Sequence, residues 1–190
     1  MILPVVAYGH PVLKRVAEDI EENTPEIQKL IADMFETMYH SEGVGLAAPQ
    51  VNKSLRLFVI DCDPFKEKYP EGAGVKKVFV NAEIVELSGE PWIFKEGCLS
   101  LPDMGEDVER PGIVTINYLD ENFVEHEETF SGIVARVIQH EYDHLEGKVY
   151  VDRLSPMRKM LLKNKLRNIS EGRVDVDYKM IFPNLKRGRR

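Results

Sequence analysis

The sequence predicts an α+β fold in which antiparallel or mixed sheets pack around one central helix bearing H-E-x-x-H. Three observations predict it. Strand-like runs precede most of the helical content. They show none of the regular strand–helix alternation that a parallel βαβ fold requires. The helix read over 132–146 carries His140, Glu141 and His144 on the same arc as its aliphatic residues.

The elements follow in order. Thr24 is an N-cap, Pro25 stands at the first helical position, and Ile27, Leu30, Ile31, Met34, Phe35 and Met38 recur at helical spacing. Gly43 and Gly45 end that helix. LRLFVID, 55–61, reads as a strand, and KKVFVNAEIVEL, 76–87, as extended chain with a kink at Asn81. Residues 62–77 read as a surface loop. IVTINYLD and FVEHEETF flank Glu121 and Asn122 and predict a hairpin. Ser131 is expected to cap the helix that runs to about Glu146, and Ser155-Pro156 to start another over 155–170. VDVDYKMIF, 174–182, alternates weakly and reads as a late edge strand.

With 190 residues, 43% hydrophobic and 30% charged, the chain is expected to form a single globular domain over 1–190. No apolar run approaches the roughly 18–20 residues of a membrane span. The opening MILPVVAYGHPVLKR shows no basic stretch ahead of an apolar core, so no export signal and a cytoplasmic location are expected. Cys62 and Cys98 are then expected to be thiols, Cys62 a structural one. A net charge of −7 argues against specific DNA binding. LKRGRR, 185–190, is a local basic tail, expected to be mobile and a candidate contact for RNA or the ribosome.

The helix over 132–146 poses the chemical question. Ile133, Val134, Val137, Ile138 and Leu145 share an arc with His140, Glu141 and His144, while Arg136, Gln139, Asp143 and Glu146 fall on the other side or its margins. Buried polar groups need partners. Two histidines at i and i+4 can send two nitrogens toward one point, and a Glu after the first completes a pattern that holds a divalent metal and handles protons beside it. The bland alternative is a chance pattern on a polar helix.

A catalytic site usually has three protein ligands. A third His three residues beyond Gly147 would make a metzincin, but Tyr150 stands there, and Glu171 sits at a helix end rather than in a thermolysin-like setting. Cys98, in EGCLSLP, is either a small buried apolar residue or a thiolate ligand suited to Fe(II), Zn(II), Ni(II) or Co(II). GVGLAAPQ, 43–50, has a helix before it and a strand after it, the reverse of a dinucleotide loop. Its glycines leave the backbone open to close approach, and Gln50 offers an amide donor.

Together GVGLAAPQ, EGCLSLP and QHEYDHLEG, in that order between 43 and 147, resemble the signature motifs of the peptide deformylases. The resemblance implies removal of the formyl group from the N-terminal formylmethionine of new polypeptides, with release of formate. It implies Cys98, His140 and His144 as metal ligands, Fe(II) as the usual ion, and Glu141 as general acid/base. It implies Gln50 and the Leu99 N–H as oxyanion donors, and Gly45 beside the substrate. Gly43 and Val44, with Ile133 and Val137, are expected walls for the methionine. Arg136 either rims the substrate pocket or is solvated, and Glu96 with Arg110 is expected to form a buried pair behind the ligand loop. Asp143 is expected to point away from the site, and His10, His40 and His126 to lie outside it. A small H-E-x-x-H metallopeptidase and a closed structural metal site are the competing readings. The first lacks its downstream ligand, and the second would want a fourth ligand and no Glu141.

Overall fold

A computed structural model describes residues 1–185 of the chain. The expected basic tail, apart from Leu185, lies outside the described residues. Three α-helices, α1 (Pro25–His40), α2 (Gly132–Leu145) and α3 (Pro156–Ser170), pack with antiparallel sheets and one short parallel pair. The expected α+β class is what the chain forms.

The central sheet has five antiparallel strands. In spatial order they are β2 (Gly45–Ala47), β3 (Leu57–Asp61), β4 (Lys76–Ser88), β7 (Ile113–Leu119) and β8 (Glu125–Ser131). Strand β3 explains the uninterrupted apolar run LFVI: a strand covered on both faces needs apolar residues at every position. Leu57 and Val59 meet Met34 and Met38 of α1, while Phe58 and Ile60 meet Ile133, Val134 and Ile138 of α2. Asn81 kinks β4 as expected. It adopts a left-handed φ of 50°, the register shifts between Val80 and Glu83, and its side chain bonds both the N–H and the C=O of Ile20.

A second antiparallel pair, β5 (Trp92–Cys98) and β6 (Leu101–Arg110), was not read from the sequence. Its inward residues include Glu96, Glu106 and Arg110, all buried. Charged residues at inward positions erase the alternating hydropathy by which strands are recognised. This hairpin and α3 enclose a third core cluster containing Leu101, Met104, Val108, Leu162 and Leu166.

Helix α2 therefore has apolar structure on two sides. All of its residues except Gly132 and Tyr142 are buried. This corrects the expectation for Arg136, Gln139 and Asp143, which the β5–β6 hairpin covers; Arg136 is only 2% exposed. The start of α2 also differs. Ser131 occupies the cap position but makes no capping bond; Glu71 Oε1 accepts from the Ile133 N–H at 3.0 Å. The loop read as mere surface thus supplies a carboxylate to the helix N-terminus, where negative charge is favoured. Gly132 makes room for it: with φ at +58°, a Cβ there would stand 2.1 Å from Glu71 Oε1.

Residues 174–182 form a strand only at β9 (Met180–Ile181), which pairs in parallel with β1 (Val5–Val6). Helix α3 is capped as expected, Ser155 Oγ accepting from the Arg158 N–H. Among the described residues, no helix is long and apolar enough to cross a membrane.

Candidate metal centre

Strand β5 points Glu96 and Cys98 inward, two residues apart, as the pleat requires. Helix α2 brings His140 and His144 to meet them, their ring centroids 5.3 Å apart. Cys98 Sγ and one nitrogen of each histidine lie within 4.8 Å of one another. Cys98 Sγ is 3.5 Å from His144 Nε2. Bonds of about 2.3 Å to sulfur and about 2.1 Å to nitrogen at a tetrahedral angle would separate such a pair by about 3.6 Å.

His140 is held from behind. His140 Nδ1 lies 2.8 Å from Glu96 Oε2. An ionised carboxylate only accepts, so Nδ1 carries a proton and Nε2 is the ring atom left to face Cys98 and His144. Glu96 also takes Arg110 bidentately, at 2.6 and 2.9 Å, and Arg136 Nη1 at 2.9 Å. The expected Glu96–Arg110 pair is therefore present and fully enclosed, Arg110 being 1% exposed. Arg136 is a member of that cluster rather than a solvated side chain: it donates to the Trp92 and Val108 carbonyls and stacks over the Trp92 ring. Asp143, expected to stay apart, accepts from Arg110 at 2.8 Å and from Arg153 at 2.6 Å. The arginine guanidinia therefore alternate with carboxylates, which is how charge survives burial.

The chemistry of the donor set fits a cation. Burial pushes the His140 pKa down, but hydrogen bonds to Cys98 and Glu96 and the nearby Glu141 charge outweigh it, leaving it well above the usual histidine range. Burial and the His140 charge push His144 down to about 3. The protein thus favours one positive charge at this point while keeping the second imidazole neutral, and a metal held by deprotonated ligands meets both demands.

Glu141 lies beside this group, 4% exposed, and its Oε2 is buried with no hydrogen-bond partner in the protein. Burial pushes its carboxyl up to about 7, against a smaller opposing effect of His140. Gly45 makes this placement possible: a Cβ there would stand 2.4 Å from Glu141 Oε1. Gly45→Ala should therefore push the carboxylate aside and lower turnover about a hundredfold, as for a misplacement near 1 Å. Steady-state kinetics beside metal analysis checks this; unchanged kcat would remove the close-approach argument.

Gln50, buried at the end of a 3-10 turn (Ala48–Val51), is fixed by its own strand: Oε1 accepts from the Ala47 N–H at 2.9 Å. Its Nε2 lies 3.3 Å from both Cys98 Sγ and Ser100 Oγ. A cleft of about 690 Å³ opens over these groups, with Gly43, Val44, Gly45, Leu99 and Val137 among its lining residues. Ile133 is not among them. It is fully buried beneath the cleft, packed with Phe58 and Ile60 in the core. Of the residues expected at the site, all but Ile133 converge on this cleft or its ligand group; Arg136 also lines it, and so does His40, which was expected to lie outside. The segment containing Asp175, Val176 and Tyr178, which carries no motif pointing to the site, also lines it. Cys62 is fully buried in the core cluster and is not part of the ligand group.

Comparisons with known proteins agree with this geometry. The polypeptide deformylase family model matches residues 2–160. A peptide deformylase of Christiangramia forsetii is 52% identical over the whole of both chains. One from Cytophaga hutchinsonii is 53% identical, the match covering 96% of this chain and 98% of the relative. Among solved structures, a peptide deformylase from Legionella pneumophila superposes with a TM-score of 0.80 at 39% identity, covering 91% of this chain and 98% of that one. One from Ehrlichia chaffeensis in complex with actinonin gives 0.80 at 35% identity, covering 88% and 96%.

Proposed function

The chain belongs to the polypeptide deformylase family, and from that premise we propose how its own residues remove the formyl group from N-terminal formylmethionine of new polypeptides. The observation that carries the proposal is the meeting of Cys98, His140 and His144 beside a buried Glu141 carboxylate that has no partner of its own.

Cys98, His140 and His144 would hold one divalent ion, Fe(II) by preference, with Zn(II), Ni(II) or Co(II) able to take the same ligands. When bound, that ion supplies Lewis acidity toward water and the formyl oxygen. Glu141 takes the proton from the attacking water at Oε2 and later passes it to the departing amine. Gln50 Nε2 and the Leu99 N–H donate to the formyl oxygen as it gains negative charge. Val44 and Val137 contact the methionine side chain, and Gly43 and Gly45 let the peptide backbone come close. The whole chain acts as one catalytic domain in the cytoplasm, and its basic C-terminus is a candidate contact with the ribosome.

The test is formate release from a formyl-Met peptide by protein purified without oxygen, since a thiolate-bound ferrous site is liable to oxidation. Turnover should track metal content, fall on chelation and return with Fe(II). Cleavage of an unformylated internal peptide bond instead would favour the metallopeptidase reading. Full metal occupancy without formate release would mean a structural site.

A further inference from the structure

Cys98 and Leu101 pair across the end of the β5–β6 hairpin, so Leu99 and Ser100 are the two central residues of its turn. The peptide between them can point its carbonyl to either side, which is what separates one β-turn type from another. Leu99 carries both this carbonyl and the N–H next to Cys98, so a bond that holds the one restrains the residue that bears the other.

Both carbonyls of this turn are caught. The Tyr8 N–H donates to Ser100 O at 2.8 Å, and the Tyr178 hydroxyl donates to Leu99 O at 2.8 Å. The two donors come from opposite ends of the chain, and those ends are themselves joined. β1 and β9 pair in parallel, Val5 N–H donates to Lys179 O, and Ala7 N–H to Ile181 O. Tyr178 thus sits one residue from a hydrogen-bonded anchor. The family match ends at residue 160, so the segment that delivers Tyr178 lies outside the matched part.

We propose that Tyr178 is a positioning residue of the deformylation site, holding Leu99 by its carbonyl so that the Leu99 N–H stays aimed at the reacting oxygen. This rests on the deformylase reading. It adds a segment beyond the signature motifs to the machinery of the site.

The test is Tyr178→Phe, which removes the hydroxyl and keeps the ring. With one neutral hydrogen bond lost, kcat should fall about three- to tenfold, with KM within about twofold and metal content unchanged. Amide hydrogen exchange at Leu99 and Ser100 should quicken by a similar factor while that of β5 and α2 holds. Unchanged kcat, a rise in KM alone, or unaltered exchange at the turn would overturn the proposal. The exchange measurement needs no turnover. Absence of formate release from the unaltered protein would therefore defeat the deformylase reading, while turn exchange would still judge the hold on Leu99.

Discussion

Glu141→Gln lowers formate release by about 10²–10⁴-fold, the usual reach of a positioned general base, while metal content stays at one ion per chain. The amide keeps the shape of the carboxylate against Gly45 but cannot take a proton. Because Glu141 is no ligand in this arrangement, metal retention separates loss of proton transfer from loss of the ion. The acid limb of the pH–rate profile should belong to this group. Burial pushes it up to about 7 in the metal-free chain. A bound cation favours the carboxylate, so the limb of the loaded protein should lie below that value and vanish in the variant. Stability gives a second reading. A carboxyl whose pKa is higher folded than unfolded makes the metal-free fold less stable as pH rises from about 4.3 toward about 7. The Gln variant should lack that decline in chelator-treated urea titrations. A variant with normal turnover would remove Glu141 from the mechanism.

Glu96→Ala is the second large effect, and it strikes stability first. One carboxylate here receives Arg110, Arg136 and His140. Arg110 retains Asp143, but Arg136 has no second acidic partner among the described residues. Removing one side of a buried pair costs about 3–5 kcal/mol, since the surviving charge stays buried. The urea midpoint should fall with little change in its slope. Metal affinity should drop about 10–100-fold as His140 loses the group that orients it. Burial alone would raise the Glu96 carboxyl, but the Arg110 and His140 bonds outweigh it and hold it far below the usual range. Its contribution is therefore present above about pH 4.3 and lost as the solution is made strongly acid. A variant that binds metal and turns over normally would show that the ligand helix needs no support from this side.

The site was more legible in the sequence than the scaffold behind it. Two histidines four residues apart, a Glu between them and a cysteine in a glycine-flanked strand end are all local features, and they met as expected. The hairpin carrying that cysteine was not legible. Its inward positions include Glu96, Glu106 and Arg110, whose burial makes sense only beside partners far along the chain, Arg158 and Asp143 among them. The same blindness put Arg136 and Asp143 on an outer face. A helical wheel knows one buried side and cannot anticipate a second layer. Glu71 and Tyr178 act at distances of about 60 and 80 residues in sequence on groups they touch directly, and no spacing rule points to such pairs.

The enclosure of α2 bears on how the chain can vary. Helices α1 and α3 bury one side each, so substitutions along them should be tolerated and rejected in turn with the 3.6-residue period of the helix. In α2 that rhythm should be missing. Aliphatic residues are fixed by the central sheet, the arginine and the aspartate by the hairpin, and the histidines and glutamate by the cleft between them. A saturation library scored for function would read α2 as an almost unbroken run of intolerance, with Tyr142 its one permissive gap.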